Sequence, residues 1–94
     1  MTQTTAPILD TSGNFAVIQM PGRRFPAVAI PGDSLHTLCD DLSELVQGLA
    51  NALGPEHEQV ECAQAILQSL EGRRDYYESV LKRAGIALPY LKGP

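Results

Sequence analysis

The chain has 94 residues, of which 44% are hydrophobic and 19% charged, and a formal net charge of −4. That is enough for one domain with one core, too short for two, and too apolar and weakly charged for a disordered chain. From Gly32 to Gly72 the acids Asp33, Asp40, Asp41, Glu44, Glu56, Glu58, Glu61 and Glu71 occur without a single Lys or Arg, which repels phosphate and excludes nucleic acid and anionic membranes while favouring a basic protein partner.

Residues 1–7, rich in Thr and stopped by Pro7, are expected as a flexible arm, and residues 8–94 as a single α+β domain. The arm has neither the basic start nor the apolar run of a leader, and no later segment reaches the length of a membrane span, so a cytoplasmic location is expected. A short third strand is allowed at Ile8 and Leu9, before the turn-forming Asp10-Thr11-Ser12-Gly13. Asn14 to Met20 and Phe25 to Ile30 carry β-branched and aromatic residues around Pro21-Gly22-Arg23-Arg24, which predicts a hairpin over 14–30 with a loop of about four residues. Alternation puts Phe15, Val17 and Gln19 on one face and Ala16, Ile18 and Met20 on the other. Both faces are apolar, and the expected architecture packs the hairpin on two antiparallel helices.

Pro31-Gly32 ends the strand, and Asp33 or Ser34 is placed to cap a helix over 34–53. Leu35, Leu38, Cys39, Leu42, Leu45, Val46, Leu49 and Leu53 recur at helical spacing, and Gly54-Pro55 stops the run. Val60, Ala63, Leu67, Leu70, Arg74, Tyr77, Leu81 and Ala84 then alternate steps of three and four, and the phase survives Gly72. One long helix over 56–84 is expected, ended by Gly85 with Ile86 in the position of a Schellman contact. The apolar tail 86–91 is expected to pack back on the domain. Cys39 and Cys62 form no Cys-x-x-Cys pair and read as plain buried or half-buried thiols.

Each enzyme-like pattern has a simpler explanation. Gly32-Asp33-Ser34-Leu35 spells the signature of a family of serine esterases, but that chemistry needs a His base held by an Asp near the end of a much larger domain, and the histidines here are His36 and His57. Helix capping accounts for the same letters. Asp40, Asp41 and Glu44 lie on the polar side of the first helix, one turn after His36, so His36, Asp40 and Glu44 are the residues to test for a divalent cation. No second copy of the motif faces them, and His57-Glu58 lacks the second His of a zinc helix. A solvated face is the better reading, with no metal and no cofactor expected. Arg23 and Arg24 stand on a loop stiffened by Pro21, Gly22 and Pro26, where forked guanidinium groups can clamp a carboxylate. Arg74 interrupts the apolar seam of the second helix, with Glu71 or Glu78 within pairing distance along it. Of Tyr76 and Tyr77, only one can face the core, and Tyr77 has the phase.

The segments Asn14-Phe15-Ala16-Val17, Pro21-Gly22-Arg23-Arg24-Phe25-Pro26, Gly32-Asp33-Ser34-Leu35 and Gly85-Ile86-Ala87-Leu88-Pro89-Tyr90 resemble a family of short bacterial proteins of unknown function. The likeness spans nearly the whole chain, and it implies a bacterial origin but no activity to transfer.

The residues support a non-enzymatic binding module using Arg23, Arg24, Asp40, Asp41 and Glu44 toward a protein partner. An immunity or antitoxin-type protein that neutralises a basic toxin is the leading expectation. A metal-dependent enzyme or ligand-binding protein on the acidic face, and a structural subunit that forms a homodimer through its long helix, are the alternatives.

Overall fold

The computed structural model describes residues 5–92, so Met1 to Thr4 of the expected arm lie outside the described residues. The fold is α+β, with β1 (Ile8–Ser12), β2 (Phe15–Ile18) and β3 (Ala27–Ala29) followed by α1 (Gly32–Leu53) and α2 (Glu58–Ala84). The chain divides between Pro31 and Gly32 into two compact units, a sheet and a helical hairpin.

The sheet is antiparallel in the order β1-β2-β3. The third strand is longer than the expected stub at Ile8 and Leu9, because Asp10, Thr11 and Ser12 continue it, opposite Val17, Ala16 and Phe15. The turn therefore falls on Gly13 and Asn14, not on Asp10 to Gly13. Gly13 has φ +56° while no non-glycine residue among the described residues has a positive φ, the sign pattern of a type II′ turn, which takes glycine first and matches strand twist. Leu9 is the extra residue at a register shift between Ile8 and Asp10, a bulge that bends the edge strand.

The second connection is wider than the four residues expected. β2 ends at Ile18 and β3 begins at Ala27, so the loop runs over 19–26. Pro26 has no N–H to extend the β2–β3 ladder, while on the other side of β2 the Gln19 N–H carries the pairing with β1 one residue further, to the Pro7 carbonyl at 3.0 Å. The Gln19 side-chain amide donates to the carbonyls of Arg23 at 2.8 Å and Met20 at 3.3 Å, which holds the loop from inside.

α1 starts at Gly32, earlier than expected, so Asp33 acts from within the first turn: its Oδ1 accepts the Ser34 N–H at 2.9 Å. A free amide of the first turn and a favourable charge at the positive helix end are met together. Gly54, with φ +94°, stops α1 as expected. α2 starts at Glu58 because His57 is its cap, with Nδ1 accepting the Gln59 N–H at 3.0 Å. It continues through Gly72 to Ala84, about 40 Å of helix at 1.5 Å per residue. At its end Gly85 (φ 72°) donates to Lys82 O and Ile86 to Leu81 O, the paired bonds of a Schellman motif.

The start of α1 lies beside the later half of α2, so the helices are antiparallel. Their core is Leu35, Cys39, Val46, Val60 and Leu67, with Cys39 and Val60 almost fully enclosed. Burying an aliphatic side chain of this kind contributes roughly 1.5–3 kcal/mol. The leucine stripe is wider than that core, and Leu38, Leu45 and Leu53 remain exposed on its edge. Cys62 is exposed too, contrary to expectation, because it lies two residues from Val60, about 200° around the helix and away from α1. No helix among the described residues is long and apolar enough to cross a membrane.

Candidate functional site

The expected site residues separate into three places. On the first flank of α1, His36 and Asp40 turn toward α2 and meet Arg74. Arg74 Nη1 lies 3.1 Å from His36 Nδ1 and 3.5 Å from Asp40 Oδ1, and Nη2 lies 3.7 Å from Glu71 Oε2. A guanidinium only donates, so Nδ1 of His36 accepts and its proton belongs on Nε2, 3.3 Å from Asp40 Oδ2. The interruption in the seam of α2 is thus a half-buried cation held by two carboxylates and an imidazole, of which Glu71 was expected and Asp40 and His36 were not. Its Nε is buried without a hydrogen-bond partner among the described residues.

The C-terminal tail closes over this cluster. Tyr90 stacks on His36, and its hydroxyl donates to Glu78 Oε2 at 2.7 Å. Lys92 Nζ meets the other oxygen, Glu78 Oε1, at 2.7 Å. Hydrogen bonds from Lys92 and then Tyr90 hold the Glu78 carboxyl below the usual range against an opposing effect of burial, while burial first and Glu78 second push the Tyr90 phenol above its own. Part of the tail packs back, as expected, through these polar anchors rather than its apolar residues: Ile86 and Leu91 stay exposed. Sequence reasoning missed this clasp. Its only trace was a Tyr in an apolar tail and a Lys shortly after it.

These contacts give the cluster a structural chemistry. Arg74 occupies the space in front of the His36 lone pair where a cation would have to sit, and Glu44 projects from the back of the helix. Among the described residues no group of three His, Cys, Asp or Glu is arranged to hold a metal ion. Ser34 is in the first turn of α1, and both imidazoles are engaged elsewhere, His36 with Arg74 and His57 at its cap. Among the described residues neither Ser34 nor a cysteine is hydrogen-bonded to either histidine. Cys39 is enclosed, and burial raises its thiol above the ordinary range although Arg74 opposes the shift.

The second place is the other flank of α1. Asp41 is exposed there between Leu38 and Leu45, which are 49% and 68% exposed, while Glu44, about 100° round the helix from Leu45, is exposed on the outer face between the directions of Asp40 and Asp41. Neither carboxylate has an ion-pair partner among the described residues. Asp40, Asp41 and Glu44 therefore differ in allegiance: Asp40 belongs to the Arg74 cluster, Asp41 borders the exposed leucines, and Glu44 lies between those two directions on the outer face. Helical spacing already implied this, since neighbouring residues lie 100° apart.

The third place is the 19–26 loop. Arg23 and Arg24 line an open concavity of about 510 Å³ with Met20, Gly22, Phe25, Pro26 and Ala27. Arg24 lies over the Phe25 ring, its guanidinium carbon 5.4 Å from the centroid, and Phe25 is itself 74% exposed. Two cations, an aromatic ring and a thioether share one stiff tip. Such a surface suits a partner with carboxylates beside apolar groups.

No curated protein and no solved structure shows significant similarity to the chain. A family model described as Family of unknown function (DUF6959) matches residues 1–90. With nearly its whole length covered, from the strand arm through the Tyr90 clasp, the chain belongs to this family of unknown function.

Proposed function

We propose that this chain is a small, non-enzymatic protein-binding module of immunity or antitoxin type, acting in the bacterial cytoplasm and neutralising a basic toxin by direct contact. The observation that carries the reading is the flank of α1 on which exposed Leu38 and Leu45 border Asp41, with exposed Glu44 one turn further along the outer face, both carboxylates without an ion-pair partner among the described residues and inside a stretch without Lys or Arg. An apolar strip supplies area to bury, and carboxylates beside it speed encounter with a positive surface and disfavour a negative one. A stable helical hairpin presents that strip with little ordering cost. Arg23 and Arg24 on the sheet loop serve as a further contact in this reading. Nucleic acid and membranes are not its partners.

Affinity capture tests it, with the full chain as bait and the products of neighbouring genes co-expressed as prey. The expected result is capture and neutralisation of a basic neighbour, lost in D41K/E44K. Failure to bind or neutralise any neighbour, or capture that both lysines leave unchanged, rejects it.

A further inference from the structure

The Arg74 cluster contains a titratable ring whose protonation its neighbours cannot absorb without moving. His36 Nδ1 accepts from Arg74 Nη1 at 3.1 Å, and its Nε2–H faces Asp40 Oδ2 at 3.3 Å. An imidazole is the side chain whose ordinary change of charge falls between about pH 5 and pH 8, and in the charged form both nitrogens donate. Arg74 would then face a second donor and a second cation. A half turn of the ring exchanges the two nitrogens and restores no acceptor. Nor is the ring free to leave: Tyr90 lies flat on it, and Glu78 holds the Tyr90 hydroxyl at 2.7 Å.

Every group concerned belongs to the helical unit. From α1 come Asp40 and the Cys39 thiol, which burial keeps neutral over this range. From α2 comes Arg74 with Glu71 behind it, and from the tail Tyr90, with Glu78, Lys92 and Tyr77 near it. Asp40 and Glu71 together outnumber Arg74, so one proton from solvent brings the ring and these three charges to neutrality rather than to net positive charge.

Once charged, the ring binds Asp40 more strongly, as a charge-assisted pair does. Arg74 keeps only Glu71, at 3.7 Å, and its Nε has no hydrogen-bond partner among the described residues even beforehand. A half-buried guanidinium so poorly matched is costly to retain. Glu71 is one turn back on the same helix and 39% exposed, so it leads the guanidinium outward. We propose that His36 is a proton-operated gate on the α1–α2 seam: a proton taken up at Nδ1 expels Arg74 along Glu71 and opens the seam beside Cys39, while the Tyr90 clasp keeps the ring in place. Cys39, 1% exposed and within the field of the Arg74 charge, marks the end of the core that the gate covers.

Nitrogen NMR of the full chain between about pH 8 and pH 5 tests this, read together with amide hydrogen exchange corrected for its intrinsic pH dependence. That range lies above the one in which Glu78 gains its proton, so the tail anchors stay constant. The expected result is a neutral His36 with its proton on Nε2 at the upper end. On acidification Nδ1 gains a proton, the Arg74 Nε–H signal moves with the same midpoint, and protection of the amides around Cys39 falls at least about tenfold. His36→Asn, whose side-chain oxygen stands at the reach of Nδ1 and does not titrate, should hold that protection level across the range. His57 remains in both proteins, so its own titration cancels in the comparison. The proposal is overturned if His36 stays neutral down to pH 5, or if it becomes charged while the Arg74 signal and the protection stay where they were. An equal fall in the natural chain and His36→Asn overturns it as well.

Discussion

The imidazole of His36 lies flat against the phenol ring of Tyr90, with ring centroids 3.9 Å apart and planes within 1° of parallel. One ring is in the first turns of α1 and the other in the tail beyond α2, so the contact ties the last described residues to the start of the helical unit. Because the Tyr90 hydroxyl also holds Glu78, a single side chain joins both helices.

Two substitutions separate those roles. Tyr90→Phe keeps the ring on His36 and loses the bond to Glu78, at an expected cost of about 1 kcal/mol. Tyr90→Ala loses both contacts and should cost roughly 2–3 kcal/mol. Urea denaturation of the three proteins measures the difference; equal stabilities would show that the tail is not anchored there.

The clasp should give stability a defined pH window. Glu78 has its folded pKa lowered from 4.5, so its contribution is complete above that value and lost as pH falls through the lower folded value. Tyr90 has its folded pKa raised from 10.0, so its contribution is complete below that value and lost as pH rises beyond it. The gap in melting temperature between the natural chain and Glu78→Gln should be widest between about pH 5 and pH 10 and close on both sides.

Gly32 is buried where a Cβ would overlap the ring of Tyr77. Gly32→Ala should therefore destabilise the helical unit by about 1–2 kcal/mol despite the better helix propensity of alanine. Adding Tyr77→Leu, which removes the far end of the ring, should recover part of the loss relative to Tyr77→Leu alone. A double-mutant cycle by thermal unfolding checks the coupling, and simple additivity would refute it.

The two thiols should differ in reactivity. Cys62 is exposed, whereas Cys39 is 1% exposed with its thiol pKa raised. Under native conditions a maleimide should label Cys62 within minutes and Cys39 only as fast as the helical unit opens. Mass spectrometry of the peptides reads both sites.

What the sequence alone determined is local. The leucine stripe with the Gly54-Pro55 stop, the unbroken three-four phase through Gly72 and the Gly85 Schellman ending each depend on residues within a turn or two, and the helices follow them. The acid-only stretch that defines the candidate surface is also plain in the letters. Where boundaries moved, a hydrogen-bond partner or the lack of one decided: Pro26 had no N–H to lengthen β3, Ser12 paired with Phe15 and lengthened β1, and His57 capped α2 and shifted its start. Tertiary structure alone decided the allegiance of charges. Asp40 and Asp41 are neighbours in the chain, yet 100° of rotation sends one to Arg74 and the other to solvent beside Leu38. Likewise Tyr90 reaches His36 only because antiparallel packing carries the end of α2 back past the start of α1. Contacts between residues so distant in sequence leave no periodic signal, since their energy comes from where the fold sets them and not from the residues beside them.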